Sequence, residues 1–245
     1  MALCTEPAAA GRFADVEAIL APKKAGAQGC WCLTYRLPLA DNDALRQPHR
    51  AEELLRLCRR RSHVPGVLAY DGDEVVGWAA IAPRNELKGL AESHFASDPD
   101  DPWALTCFRV RAGHGRQGVA RALLTGAVEY AVAQHAPAVI GYPVAAGDQR
   151  IDRTQASVGL LSWFTDAGFR QIGDTGYPRE RTPPRHRAQR PLTGAGDHVG
   201  ATRHRGLDGV DQRNSHNPST LTVTATALPM PMDSARCTAT LIGSR

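Results

Sequence analysis

The sequence lacks the features that mark several common classes of protein. No stretch approaches the roughly 18 apolar residues of a membrane-spanning helix, and the first residues have neither the basic start nor the apolar run of a signal peptide. Lysine occurs only at Lys23, Lys24 and Lys88, so no Gly-Lys-Ser or Gly-Lys-Thr phosphate loop is present. We therefore expect a cytoplasmic protein with no membrane partner and no Walker-type nucleotide site.

Neither the charge nor the cysteines indicate a particular partner. The net charge is +4, and basic and acidic residues are mixed along the chain up to about residue 180, which does not indicate nucleic-acid binding. The six cysteines, without a secretory signal, are expected to be reduced thiols. Cys30 and Cys32 form a C-x-C pair, whereas metal knuckles and redox motifs use C-x-x-C. We predict no metal site and interpret the pair as small buried residues on one face of a strand.

Strand and helix patterns alternate through the middle of the 245 residues. An Asp-Gly turn at Asp71 and Gly72 separates two apolar runs and predicts a hairpin. The other predicted elements are a short apolar stretch at 13–20, a strand at 29–37, a helix at 51–61, a strand at 103–110, a helix from 119 to 132, a strand at 138–144, a helix from Ser157 to Gly168 and a strand at 169–172. The pattern predicts an α/β fold of the α+β type. Its sheet is mixed and mostly antiparallel, with a central parallel pair on either side of the long helix.

A glycine-rich loop joins the central predicted strand to the long helix. Gly113 to Gly118 has the spacing G-x-G-x-x-G, and free amides at a helix start bind phosphate oxygens. A dinucleotide site would also need an acidic residue about 20 residues further on, after the next strand. Here the first acid beyond that strand is Asp148. The protein-kinase loop needs valine where this chain has Ala120. The loop therefore predicts phosphate binding without identifying the cofactor.

Shifted by two residues, the same loop reads Gly115-Arg-Gln-Gly118-Val-Ala120. This resembles the Q/R-x-x-G-x-G/A signature of the GNAT superfamily of acetyl-CoA-dependent N-acetyltransferases. The segment SWFTDAGF at 162–169 and the hairpin VLAYDGDEVVGWAAIAP resemble further parts of that family, and C-W-C together with CFRV resembles a bacterial subgroup. Two positions depart from the family pattern: Gly115 stands where arginine or glutamine is usual, and Phe164 stands where many members carry a proton-donating tyrosine.

The resemblance implies an enzyme that transfers acetyl from acetyl-CoA, its cosubstrate, to a primary amine of a small molecule or protein by direct attack. It implies main-chain contacts of strand 108–110 with the pantetheine and acetyl groups, and of the loop amides with the pyrophosphate. Ser162 would be a polar substitute for the missing tyrosine, and a tyrosine at position 164 would raise turnover. The implied cofactor residues are Phe108, Arg109, Val110, Gly115, Arg116, Gln117, Gly118, Val119, Ala120, Arg121 and Ser162.

The catalytic residues stay unassigned at this point. Several polar residues precede the central strand and could supply a general base; they are Glu92, His94, Asp98, Asp100 and Asp101. An alternative to the enzyme is a GNAT-like module that holds an acyl-CoA without turnover, because both departures remove groups that bind or react with the cofactor.

The chain divides into three predicted regions: a flexible N-terminus at 1–11, a GNAT-like domain at 12–178 and a low-complexity tail at 179–245. The tail is rich in Arg, His, Pro and Gly, which is typical of a disordered extension or of out-of-frame translation. Its prolines argue against the strand that completes the sheet in the resembling family, and Leu221–Leu228 is not expected to replace that strand. An incomplete sheet edge would favour a homodimer.

Overall fold

A computed structural model describes residues 3–91, 102–145, 155–174 and 186–191. Within them one sheet has the strand order β1-β2-β3-β4-β5-β7-β6, in which β4 and β5 pair in parallel and all other neighbours pair antiparallel. This arrangement confirms the predicted mixed sheet with a central parallel pair. The strands are β1 (Leu3–Pro7), β2 (Gly66–Asp71), β3 (Glu74–Pro83), β4 (Trp103–Val110), β5 (Ala138–Gly141), β6 (Arg170–Asp174) and β7 (His186–Pro191).

Six α-helices flank the sheet in the described part of the chain: α1 (Phe13–Leu20), α2 (Leu39–Ala44), α3 (His49–Cys58), α4 (Lys88–Ala91), α5 (Val119–Ala133) and α6 (Leu161–Asp166). The long helix α5 forms where the sequence predicts it, because Val119, Leu123, Ala127 and Ala131 recur on one buried face. Ser157 lies in a 3-10 turn, Gln155–Val158, so the second predicted helix begins later than expected, at Leu161. None of these helices is long and apolar enough to cross a membrane.

The sheet buries an apolar core on each of its faces. One core lies under α5 and α6 and includes Val76, Leu105, Phe108, Leu123, Val139 and Phe164. The other lies under α1 and α3 and includes Leu33, Leu54, Leu68 and Trp78. Strand β3 is buried along nearly its whole length, as expected for a central strand that is covered on both sides.

Two predicted boundaries of the domain are corrected by the sheet. The N-terminus was expected to be flexible, but β1 pairs with β2 from Leu3 to Pro7 and satisfies its backbone groups there. The tail was expected to lack a strand, but β7 pairs with β5 on one side and β6 on the other. Pro191 is the last residue of β7 and has a register partner, Ala138, only on the β5 side. Residues 192–245, including Leu221–Leu228, lie outside the described residues.

The predicted strand over 29–37 is also wrong, because this segment forms consecutive turns. Trp31 and Cys32 both adopt left-handed backbone conformations, with φ of 51° and 53°. Both side chains are buried in the core under α3, and adjacent residues of a strand cannot point to the same side. Cys30 is exposed, and Arg50 Nη2 donates to its carbonyl oxygen at 3.0 Å.

The cysteines differ from one another in their bonding. Cys30, Cys32, Cys58 and Cys107 are free thiols, as the sequence predicts. Cys4 instead is disulfide-bonded, so the expectation of reduced thiols is wrong at this position.

Candidate functional site

The central parallel pair separates halfway along β4. Strands β4 and β5 pair only where Trp103–Leu105 lies beside Val139–Gly141. After Gly141 the chain leaves the sheet, whereas β4 continues to Val110 with β3 beside it. Among the described strands, none pairs with the other edge of β4 from Thr106 onward. The backbone of this half-strand therefore has hydrogen-bonding groups available at a cleft.

A bulge begins at the point of separation. The register of β4 against β3 passes from Leu105 opposite Ile81 to Cys107 opposite Ala80, so Thr106 is the extra residue. Because a bulge shifts the alternation by one, Leu105 and Phe108 both face the core under α5. The bulge thus directs Phe108 toward α6, across the cleft.

Aromatic rings close the inner end of the cleft. Phe108 packs edge-on against Trp163 and Phe164, with ring centroids 6.1 Å apart in both pairs. Phe164 is fully buried, and two glycines make room for its ring. A Cβ at Gly141 would lie 2.2 Å from Phe164 Cε1, and one at Gly159 would lie 2.7 Å from Phe164 Cε2. Phe164 is therefore a tightly packed core residue.

The glycine loop leads from β4 to an open helix start. Gly118 is the N-cap of α5 with φ of 83°, and the first backbone bond of the helix runs from Ala122 N to Gly118 O. The amides of Val119, Ala120 and Arg121 precede that bond and are free for an external acceptor. A Cβ at Gly113 or Gly115 would have no neighbour within 4 Å in the described part of the chain. The helix start therefore offers amides without a partner inside the helix, and the positive end of its dipole, to an anion.

The basic side chains of this region differ in their ion pairing. Arg111 lies 3.3 Å from a carboxylate oxygen of Glu74, and Arg121 forms an ion pair with Asp166. Gln117 Nε2 donates to the carbonyl oxygen of Gly113 at 3.2 Å and so stabilises the turn of the loop. Arg116 is exposed and left-handed, with φ of 62°.

The thiols of the opposite face are not activated. Hydrogen bonding to Cys107 and burial raise the pKa of Cys32 well above its ordinary value. Burial raises the pKa of Cys58 to about 11. Burial also lowers the pKa of Arg36 to about 10, while its guanidinium donates to the carbonyl oxygen of Pro65 at 2.5 Å. Cys32 and Cys58 are neutral at pH 7 and are poor nucleophiles.

The structure brings most of the sequence-predicted site residues together. Phe108, Arg109 and Val110 lie on the half of β4 that β5 leaves, and the segment 115–121 follows directly as the loop and the first turn of α5. Ser162 is exposed on α6. The candidate bases Glu92, His94, Asp98, Asp100 and Asp101 lie outside the described residues.

Sequence reasoning missed several residues that shape the cleft. The sequence indicates only weakly that Gly141 and Gly159 make room for another side chain, since each is a glycine beside a buried apolar segment. Nothing in the local sequence indicates the bulge at Thr106 or the ion pair of Asp166 with Arg121, because both depend on residues distant in sequence.

Comparisons with known proteins support a family assignment. Residues 31–149 match the family model described as "Acetyltransferase (GNAT) family". No curated protein matches the sequence.

The solved structures that match this chain have low identity to it. A histone acetyltransferase HPA2 and related acetyltransferase from Corynebacterium glutamicum is 18% identical with a TM-score of 0.46, covering 80% of this chain and 99% of its own. A GCN5-related N-acetyltransferase from Kribbella flavida is 19% identical with a TM-score of 0.43, covering 78% and 98%. N-acetylglutamate synthase from Neisseria gonorrhoeae, complexed with coenzyme A and N-acetyl-glutamate, is 13% identical with a TM-score of 0.42, covering 78% and 35%.

Proposed function

Because the chain belongs to the GNAT acetyltransferase family, we propose that it transfers the acetyl group of acetyl-CoA to a primary amine of a small molecule or a protein. The observation that carries this proposal is the separation of β4 from β5 directly before a glycine-rich helix start. An unpaired strand edge suits the amide-containing pantetheine arm, and the helix start suits the pyrophosphate. The pantetheine arm and the pyrophosphate of CoA thus lie beside complementary groups of two consecutive elements, β4 and α5.

The pantetheine arm binds along β4 in this proposal. Its amides are spaced for hydrogen bonds to a strand edge, and the backbone of Phe108, Arg109 and Val110 provides such an edge. Phe108 and Trp163 form an apolar wall beside the arm. Water is excluded there, which strengthens the hydrogen bonds to the thioester carbonyl.

The pyrophosphate binds at the start of α5. The amides from Gly115 to Ala120 approach the phosphates, and the glycines at 115 and 118 leave space because they carry no Cβ. Gly115 has no side chain where the family commonly has a cation or an amide. The exposed Arg116 and the nearby Arg121 supply positive charge instead.

The acetyl transfer proceeds by direct attack. The neutral amine forms a bond to the thioester carbon while the carbon–sulfur bond breaks, and the amine nitrogen then loses its proton to water. Phe164 is fully buried and has no hydroxyl, so it donates no proton to the leaving sulfur. An alkanethiolate is a much weaker base than an alkoxide, so the sulfur can leave as the thiolate and take its proton from water.

A second function, CoA binding without turnover, is favoured by Gly115 and Phe164, which lack groups that the family commonly uses. Labelled acetyl-CoA incubated with a panel of small amines and amine-bearing peptides distinguishes the two. Labelled amide product supports the enzyme. Tight CoA binding by calorimetry without product supports the binding module, and absence of CoA binding by the folded protein contradicts both.

We propose that copies of the chain associate through a sheet edge. Strand β6 forms the edge of the sheet next to β7, because β7 lies between β5 and β6. A molar mass by light scattering that equals one chain contradicts a homodimer.

A further inference from the structure

An ion pair connects the two sides of the cleft. Arg121 lies in the first turn of α5, which packs on β3 and β4, and Asp166 is the last residue of α6, which packs on β6 and β7. The two halves of the sheet separate between these helices, because β4 and β5 stop pairing after Leu105. The Arg121–Asp166 pair therefore lies between α5 and α6, which also pack directly against each other beside the point where the strands separate.

The same ion pair neutralises a cation next to the proposed phosphate site. The amide of Arg121 is one of the free amides at the start of α5, so its guanidinium lies within one side chain of that anion site. In the structure this guanidinium is held by the carboxylate of Asp166. Asp166 thus occupies a guanidinium donor that a phosphate at the start of α5 could otherwise use.

We propose that Asp166 is an internal competitor for the CoA phosphates: Arg121 binds Asp166 in the free protein and transfers to a phosphate of CoA when CoA binds. This inference rests on the proposed function, since it takes CoA as the ligand. It adds a step at that site, namely an exchange of the anion that is bound to one guanidinium.

The exchange is favourable because the two partners of Arg121 differ in strength. The side chains of the pair are 64% and 52% exposed, so water and salt screen their attraction and little is lost when the pair opens. The pyrophosphate of CoA carries two negative charges where the carboxylate carries one, so it attracts the guanidinium more strongly. The carboxylate therefore weakens CoA binding without preventing it.

A double-mutant cycle tests the exchange, with the Kd of CoA measured by calorimetry on the full chain. We expect Asp166→Asn to lower the Kd about 3-fold, because Arg121 is then free. We expect Arg121→Gln to raise it about 5-fold, because a charge-assisted bond to phosphate is lost. In the Arg121→Gln background, Asp166→Asn should change the Kd by less than about 1.5-fold, since the competition no longer exists.

A matched control separates this exchange from a general effect of charge. Glu53 pairs with Arg56 on α3, on the opposite face of the sheet, and Glu53→Gln removes the same charge from a partly exposed ion pair. It should leave the Kd of CoA unchanged. Arg121→Lys keeps the charge and should restore part of the affinity that Arg121→Gln loses. Circular dichroism of each variant checks that the fold is retained.

Several outcomes would overturn the proposal. An unchanged or higher Kd in Asp166→Asn excludes competition by this carboxylate. An equal effect of Asp166→Asn with and without Arg121 shows simple repulsion of CoA and no exchange. If the wild-type protein binds CoA but the cycle shows no coupling, only this inference fails. If the folded wild-type protein does not bind CoA at all, the proposed function fails together with it.

Discussion

Replacement of Gly118 by glutamate or by glutamine tests the start of α5 with two side chains of similar size, of which only one is charged. The difference between the two variants therefore measures the effect of negative charge alone. Gly118 has φ of 83°, which costs any other residue about 1–2 kcal/mol because Cβ crowds the backbone there. The added Cβ meets only Leu3 Cδ1, at 3.9 Å, within the described part of the chain. Both variants therefore lose a similar free energy of unfolding from strain, with no added clash.

The negative charge should act in opposite directions on stability and on CoA binding. At a helix start the carboxylate of Gly118→Glu recovers about 0.3–1 kcal/mol relative to Gly118→Gln through the helix dipole. Against CoA, a carboxylate about 6 Å from two phosphate charges, at an effective dielectric constant of about 40, opposes binding by about 3 kcal/mol. This corresponds to a Kd roughly 100-fold higher than that of Gly118→Gln.

Urea unfolding and calorimetry with CoA measure both effects on the same samples. We expect Gly118→Glu to be at least as stable as Gly118→Gln and to bind CoA far more weakly. If the two variants bind CoA equally, the pyrophosphate does not lie at the start of α5, and the orientation of the cofactor proposed above is wrong.

Three further predictions test the core, the thiols and the C-terminal strand. Phe164→Tyr should cost about 1–3 kcal/mol of unfolding free energy, because the ring has no room for a hydroxyl beside Gly141; a faster single-turnover acetyl transfer would instead support the proton-donor role expected from the family pattern. At pH 8, iodoacetamide should modify the exposed Cys30 long before Cys58, because burial raises the pKa of Cys58 to about 11 and keeps its thiol protonated; equal rates by peptide mass spectrometry would contradict this. A chain that ends at residue 180 should unfold at least about 10 °C below one that ends at residue 195, because β7 pairs with two strands; equal unfolding temperatures by differential scanning calorimetry would show that β7 adds no stability.

Elements with a strong local pattern were predictable from the sequence. The hairpin formed by β2 and β3 follows from an Asp-Gly turn between apolar runs, and α5 follows from apolar residues at helical spacing. The position of the glycine loop between a strand and a helix start follows from the same patterns, since each depends on residues near in sequence.

Elements that depend on distant partners were not predictable in this way. The segment 29–37 has a strand-like composition, but Trp31 and Cys32 are both needed in the core under α3, and turns allow this where a strand does not. Strand β7 has a composition unfavourable for a sheet, but the edges of β5 and β6 provide hydrogen-bond partners on both sides.

The sequence by itself determined the fold class, the family pattern and the loop that would hold a phosphate, because glycine spacing and apolar periodicity are properties of neighbouring residues. Only the tertiary structure decided where β4 separates from β5, that Phe164 is a core residue, and that Arg121 is paired with Asp166. The reason is physical: a strand register, a filled cavity and an ion pair each require two segments of the chain to meet, and the Arg121–Asp166 pair joins residues 45 positions apart.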